Sequence, residues 1–143
     1  MRVGAARKHT VIAIDFDGTL CDHRFPAIGK EAAGAFRWLK KFQEAGAKLV
    51  LWTMRSDGCD DGTNPLAEAV QWCLDRGVAF WAVNSNPDQH HWTASPKAYA
   101  QAYVDDNAIG CPLRKGPKKD SKAVVDWRIV GPLVMAIIKK RAA

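Results

Sequence analysis

The sequence predicts a single-domain α/β fold built around a mostly parallel β-sheet. Short runs of β-branched and apolar residues alternate along the chain with segments of helical periodicity, which is the pattern of β-α-β units with right-handed crossovers. The chain has 143 residues, of which 48% are hydrophobic and 25% are charged. This length and composition suit one folded domain with one core, so we assign residues 1–143 to a single domain.

The first β-α-β unit is predicted in the N-terminal third of the chain. Residues 11–16, VIAIDF, form a β-branched, apolar run that is typical of a strand buried on both faces. A helix is predicted over about residues 30–45, where apolar side chains recur at helical spacing, and Gly46 is its expected stop. Residues 48–53 form a second buried strand.

The second unit has clear boundary residues. A helix is predicted over residues 64–77, with Asn64 as its cap, Pro65 at its first position and Gly77 after its end. Residues 78–83 are predicted to form the third strand.

The remaining chain is predicted to complete the sheet and end in a helix. A short helix over residues 95–100 is expected to be capped by Ser95, and a fourth strand covers residues 102–106. A strand or turn near residues 123–127 precedes a C-terminal helix within residues 131–141.

Polar side chains follow three of the predicted strands. Asp15 and Asp17 end the first strand, Thr53 ends the second, and Asp105 and Asp106 end the fourth. Because ligands of open parallel sheets bind at the carboxyl ends of the strands, these side chains are expected to share one crevice.

Four converging carboxylates require a cation, since buried like charges are costly when unpaired. Oxygen ligands favour a hard ion, and Mg²⁺ commonly binds one or two carboxylates together with water and phosphate. The predicted metal ligands are Asp15, Asp17, Asp105 and Asp106. A carboxylate at such a site can attack phosphorus while a neighbouring carboxylic acid protonates the leaving oxygen.

Other side chains are predicted to hold the phosphate. A hydroxyl and an ammonium group stabilise phosphoryl oxygens, and Thr53 and Lys97 are available for this role. Met54 and Arg55 follow Thr53 in the crevice loop and are included in the predicted phosphate site. The guanidinium of Arg55 can clamp a phosphate or carboxylate, although a solvated loop arginine explains it equally well.

The motif DFDGTL at residues 15–20, followed in order by Thr53, Lys97 and the acidic pair Asp105 and Asp106, resembles the haloacid-dehalogenase-like superfamily. The resemblance spans roughly residues 11–110. It implies a Rossmann-like three-layer sandwich and Mg²⁺-dependent phosphoryl transfer.

The resemblance also implies individual roles. Asp15 would be the nucleophile and Asp17 the general acid/base, with the main-chain carbonyl of Asp17 also binding the metal. Thr53 and Lys97 would hold the phosphate. Asp106 would bind the metal directly, and Asp105 would act through water or in its place. An aspartate at position 17 fits the family's phosphatases, whereas its dehalogenases lack it.

The gaps in which this superfamily often carries a cap domain are short here. About ten residues separate the motif from the first predicted helix, and about thirteen separate Val83 from Lys97. Neither gap has room for a domain, so the resemblance implies a capless phosphatase with an open site. The acidic residue that the family usually has four positions after the acidic pair is Gly110 here.

Charge and composition limit the expected partners. The formal net charge is +6, with much of the excess in residues 113–122 and 139–143. No nucleic-acid-binding signature accompanies this charge, so nucleic acid is not an expected partner. No apolar run approaches the roughly 18 residues of a membrane span, and no secretory signal is evident, which predicts a cytoplasmic protein without a membrane partner. The expected partner is a phosphorylated substrate of unknown identity, and a homo-oligomer is possible.

Two other functions fit the same residues. One is a non-catalytic module that uses the constellation to bind a phosphorylated or nucleic-acid partner. The other is a phosphatase that acts on the phosphorylated end of a polynucleotide, which an open site would permit. Turnover of a small phosphate ester with Mg²⁺ distinguishes the enzyme from the binding module.

Overall fold

A computed structural model of the chain describes residues 9–116 and 118–143. Residues 1–8 and Pro117, which the predicted domain includes, lie outside the described residues. Four strands form a parallel sheet in the order β3-β2-β1-β4, which confirms the predicted α/β class. The strands are β1 (Val11–Ile14), β2 (Lys48–Leu51), β3 (Ala82–Val83) and β4 (Ala102–Val104).

The sheet order places a crevice beside β1. The chain runs from β1 outward through β2 to β3, then returns to pair β4 with the opposite side of β1. Such a reversal of strand order opens a ligand-binding crevice at the carboxyl ends of the strands. The register sets three strand ends side by side, because Ile14 pairs with both Leu51 and Val104.

Three helices contribute to the larger of two core clusters: α1 (Ala35–Glu44), α2 (Pro65–Asp75) and α3 (Trp127–Ala142). Their buried side chains join those of Ile12, Ile14, Leu49 and Leu51 in one cluster. The alternate strand residues form a smaller cluster on the opposite face, with Trp52 and Trp81 packed against it. This alternation follows from the two-residue period of a strand.

Helix α3 packs on α1 through a close contact between a glycine and an aromatic ring. A Cβ atom added to Gly131 of α3 would collide with the indole ring of Trp38 of α1. The absence of a side chain at Gly131 therefore lets the two helices approach.

A two-stranded antiparallel sheet precedes α3. It pairs β5 (Leu113–Arg114) with β6 (Val124–Val125). Helix α3 then begins at Trp127, earlier than predicted, because the side chain of Asp126 accepts a hydrogen bond from the backbone N–H of Arg128.

Several predicted boundaries differ from the structure. The helix predicted from about residue 30 begins at Ala35, because Gly34 adopts a left-handed conformation with φ of 81°. Asn64 does not cap α2 with its side chain, which accepts from the N–H of Gly58 instead. Asp57 supplies an acceptor for the N–H of Ala67 in the first turn of α2. Gly46 and Gly77 follow α1 and α2 with positive φ, as predicted.

The helix predicted over residues 95–100 does not form. Buried Gln89 bonds to the backbone of this segment at Ser95, Lys97 and Tyr99. These bonds satisfy groups that a helix would otherwise pair internally, so the segment stays irregular. Ser95 instead accepts from the N–H of Lys97.

No helix among the described residues has the length and apolar character needed to cross a lipid bilayer.

Candidate functional site

Three carboxylates meet where β1 and β4 end. Asp15 follows β1, and Asp105 and Asp106 follow β4, its neighbour in the sheet. Each of the three offers a carboxylate oxygen within 4.8 Å of the others. The strand register therefore brings together acids that lie 90 residues or more apart in sequence.

The electrostatics of Asp15 reflect this crowding. Burial, a hydrogen bond with Asp106 and the negative charge of Asp105 together raise the pKa of Asp15 from 3.8 to about 8. Desolvation and nearby like charges both disfavour an ionised carboxylate. A divalent cation at this position would offset the cost of ionising Asp15, because its charge would neutralise the cluster.

The loop after β1 is held tightly over the cluster. Gly18 has φ of 80°, and a Cβ atom there would collide with the side chains of His23 and Asp106. The hydroxyl of Thr19 donates to Asp15 Oδ2 at 3.1 Å, as expected for a residue that stabilises this turn. Glycine is required here by both backbone conformation and space.

The C-terminal part of the chain braces the same loop. The N–H of Val125 donates to the carbonyl of Gly18 at 3.0 Å. The indole N–H of Trp127 donates to the carbonyl of Thr19 at 2.7 Å, and its side chain is fully buried. The loop therefore depends on β6 and the start of α3.

Asp17, predicted as a fourth metal ligand, is not in the described group of three carboxylates that lie within 4.8 Å of one another. Its two oxygens accept hydrogen bonds of 2.8 Å from Nε and Nη2 of Arg55. The side chain of Arg55 is 1% exposed and that of Asp17 is 22% exposed. This is a bidentate, charge-assisted pair that fixes the orientation of the Asp17 carboxylate.

Arg55 is fully occupied by the protein. Besides Asp17, its guanidinium donates to the carbonyls of Pro26, Ala27 and Pro65. With two bonds to Asp17, these account for all five N–H groups of an arginine. The predicted phosphate-binding role of Arg55 is therefore corrected: its guanidinium holds Asp17 and the loop around Pro26, and it is not solvated either.

Thr53 is placed in the crevice as predicted. Its hydroxyl accepts from the N–H of Arg55 at 3.0 Å, which leaves the hydroxyl hydrogen for another acceptor. The side-chain amide of Asn84 bonds to both the N–H and the carbonyl of Thr53. These bonds join the ends of β2 and β3. The backbone of Asn84 has a φ of 52°. Met54 also lines the crevice and is 97% exposed.

Lys97 lies away from its predicted position. Its ammonium sits over the ring of Tyr103, 5.4 Å from the ring centroid. Lys97 is not among the described residues that line the crevice, whereas Lys122 is. The irregular path of residues 95–100 explains the difference, since the predicted helix would have set another direction for this side chain.

His23 was not predicted as a site residue. Its Nε2 lies 3.1 Å from Asp106 Oδ2, and this atom is buried with no hydrogen-bond partner in the described part of the chain. An unpartnered buried nitrogen beside a carboxylate is unusual in a folded protein. The structure thus adds His23 to the surroundings of the acidic cluster.

Several of these side chains line one cavity with a volume of about 380 Å³. It is lined by Asp15, Asp17, His23, Thr53, Met54, Asp106, Asn107, Leu113, Lys122 and Ala123. Asp15 and Asp106 of the acidic cluster, the hydroxyl of Thr53 and the ammonium of Lys122 share this concave space. Such groups suit a metal-assisted reaction of a phosphate group.

The sequence does not indicate His23 or Lys122 as site residues, for different reasons. Lys122 lies in the basic segment noted above, and the β5–β6 pairing brings that segment to the cavity. His23 carries no sequence signal beyond its proximity to Asp17.

Comparison with known proteins identifies one solved relative. No protein-family model and no curated protein matches the chain. A conserved protein from Bacteroides thetaiotaomicron matches it with 32% sequence identity and a TM-score of 0.69, over 91% of this chain and 93% of the other. This chain belongs to the same family as that protein. The two share the α/β fold over nearly their whole lengths.

Proposed function

We propose that the protein is a Mg²⁺-dependent phosphatase of the haloacid-dehalogenase-like class, which hydrolyses a phosphate monoester through an aspartyl-phosphate. The observation that carries the proposal is the meeting of Asp15, Asp105 and Asp106 within 4.8 Å at the crevice beside β1. The motif DFDGTL and its resemblance to that superfamily support the same function.

The donor set fits Mg²⁺. Asp15, Asp105 and Asp106 offer only oxygen atoms, the ligands that this ion prefers. Burial first, and then the acidic neighbours Asp106 and Asp105, raise the pKa of Asp15, and a bound cation would oppose both effects. When bound, the ion would neutralise the carboxylates and the phosphoryl oxygens.

The chain supplies the groups for two displacement steps. A carboxylate oxygen of Asp15 attacks phosphorus, and the bond from phosphorus to the ester oxygen breaks. The leaving oxygen takes a proton from Asp17. Water then attacks the phosphorus of the aspartyl-phosphate and gives its proton to Asp17, which releases phosphate and restores the Asp15 carboxylate.

Asp17 can exchange a proton without leaving Arg55. Each Asp17 oxygen accepts one hydrogen bond from the guanidinium, and a carboxylate oxygen has a second lone pair. The pair keeps Asp17 aimed at the cavity, which it lines together with Asp15. Thr53 can donate its hydroxyl hydrogen to a phosphoryl oxygen, and Lys122 supplies positive charge on the same side.

The test is phosphate release from p-nitrophenyl phosphate with Mg²⁺ or with EDTA. We expect release only with Mg²⁺, and a loss of at least 1,000-fold in Asp15→Asn because the nucleophile is removed. Asp60→Asn is the matched control, since Asp60 is exposed and outside the crevice. Circular dichroism verifies that both variants fold. Release that persists in EDTA, or that Asp15→Asn retains, would refute the proposal.

A further inference from the structure

A second concave surface adjoins the candidate site. It has a volume of about 810 Å³ and shares His23 and Lys122 with the cavity that contains Asp15. We name it the basic cleft after the cationic side chains that line it: Arg24, Lys30, Lys118 and Lys122.

The cations of the basic cleft outnumber its two acids, Asp22 and Asp120. Across the described ranges of the chain, none of the four cations forms an ion pair, whereas Arg76 and Arg128 elsewhere are paired with carboxylates. A net positive charge along a concave wall concentrates the electric field and attracts anions. The basic cleft is therefore suited to an anionic group.

A different cavity adjoins Asp15 on the side of β3, and it lacks the cationic side chains of the basic cleft. That cavity has a volume of about 360 Å³ and is lined by Asp15, Trp52, Thr53, Met54, Asn84, Pro96 and Asp105, with no cationic side chain. Among the described residues that line these two cavities beside Asp15, the cationic side chain is Lys122, on the side of His23 and the basic cleft.

We infer that the basic cleft binds a second phosphate group of the substrate, so that the preferred substrates are phosphate monoesters that carry a further phosphate. This inference rests on the proposed function, because it places the first phosphate at Asp15. Sugar bisphosphates, nucleoside bisphosphates and phosphorylated ends of oligonucleotides share this chemistry. Phe25, which is 62% exposed, lines the basic cleft, and its ring offers a surface on which a nucleobase can stack.

The experiment compares substrates in matched pairs. Adenosine 3′,5′-bisphosphate is compared with adenosine 5′-monophosphate, and fructose 1,6-bisphosphate with fructose 6-phosphate. A 5′-phosphorylated trinucleotide, compared with adenosine 5′-monophosphate, forms the third pair. We expect kcat/KM to be at least tenfold higher for the member with the second phosphate in one or more arms, and the arm with the largest ratio identifies the source of the phosphate.

The double variant Arg24→Gln, Lys30→Gln tests the cleft directly. We expect it to reduce the ratio of the two kcat/KM values at least fivefold, and added salt to reduce the ratio in the wild type. Lys139→Gln, Lys140→Gln removes the same charge near the end of α3 and should preserve the ratio. Equal kcat/KM within every pair, or a ratio unchanged in the cleft variant, would overturn the inference.

Calorimetry separates this inference from the proposed function. Titration of Asp15→Asn with each probe measures binding without turnover. If the doubly phosphorylated probe binds more tightly, and the cleft substitutions abolish that difference, the inference about the basic cleft is supported. This holds even if no substrate is hydrolysed, because absent hydrolysis would refute only the phosphatase. Equal binding of paired probes would refute the cleft while leaving the phosphatase intact.

Discussion

At the scale of single residues, the contact between His23 and Asp106 is explained by the proposed metal site. His23 places a buried nitrogen 3.1 Å from Asp106 Oδ2, directly over Gly18. Groups that contact metal-binding side chains orient them, and their loss commonly weakens metal binding by about 10–100-fold. We interpret His23 as a positioning residue for Asp106.

His23→Gln should therefore raise the Mg²⁺ concentration for half-maximal activity by roughly tenfold or more. The Mg²⁺ dependence of the melting temperature should shift by a similar factor, a readout that does not require turnover. His90→Gln is the control, since His90 is exposed and outside the cavity. An unchanged Mg²⁺ dependence in both measurements would remove His23 from the site.

The contacts of Arg55 differ from the phosphate-binding role predicted for it. A sequence shows that an arginine follows Thr53, but it does not show that Pro26, Ala27 and Pro65 present their carbonyls to it. Those contacts depend on the path of two loops, which local sequence patterns do not determine. The guanidinium therefore has a structural role that no motif indicated.

Arg55→Lys should lower the free energy of unfolding by about 3 kcal/mol, because an ammonium cannot replace the five-bond fork and Asp17 loses its bidentate partner. Urea unfolding measures the change. Arg37→Lys, at an exposed position on α1, should change stability by less than about 0.5 kcal/mol. Normal stability with an increased KM would instead restore the phosphate-clamp interpretation.

At the scale of elements, the contact between α1 and α3 depends on one missing side chain. Alanine normally favours a helix over glycine by about 1 kcal/mol. At Gly131 the added methyl group would meet the indole of Trp38, a rigid ring that packs against the core. Overpacking of this kind commonly costs about 1–3 kcal/mol.

Gly131→Ala should consequently destabilise the protein, although alanine has a higher helix propensity than glycine. Thermal or urea unfolding of the purified variant measures the effect. In Trp38→Leu the ring is gone, so adding Gly131→Ala to that variant should cost less than it does in the wild type. A stabilised Gly131→Ala single variant would show that the helices do not approach as closely as described.

The elements also show where sequence patterns succeed. Strands β1, β2 and β4 and helices α1 and α2 lie within the predicted ranges, because buried periodic runs and terminal glycines carry strong local signals. The helix expected at residues 95–100 was wrong because Gln89, outside the segment, bonds to its backbone. The ammonium of Lys97 lies over Tyr103 on the same irregular segment, whereas Asp15, Asp105 and Asp106 are brought together as the sheet rule predicts.

At the scale of the whole molecule, the acidic cluster links stability to pH and to metal. Asp15 has a pKa of about 8 in the folded protein, compared with 3.8 as the ordinary value. The native state therefore binds this proton more tightly than the unfolded chain does. Stability without metal should fall as pH rises from about 4 to about 8.

Asp15→Asn should remove this dependence. Without metal at pH 8, we expect the variant to be more stable than the wild type by several kcal/mol, since each unit of pKa difference corresponds to about 1.4 kcal/mol, while at pH 4 the two should be nearly equal. Mg²⁺ should stabilise the wild type and reduce the difference. Urea unfolding at both pH values, with EDTA or Mg²⁺, measures these changes. Parallel pH profiles for the two proteins would contradict the cluster's role.

The bracing of the Gly18–Thr19 turn has a consequence for biosynthesis. The two bonds that reach this turn come from Val125 and Trp127, more than a hundred residues downstream. A nascent chain on the ribosome lacks both until Trp127 has left the exit tunnel. The first motif to be translated is thus among the last to be locked into shape, and a premature stop before α3 yields a chain without this support.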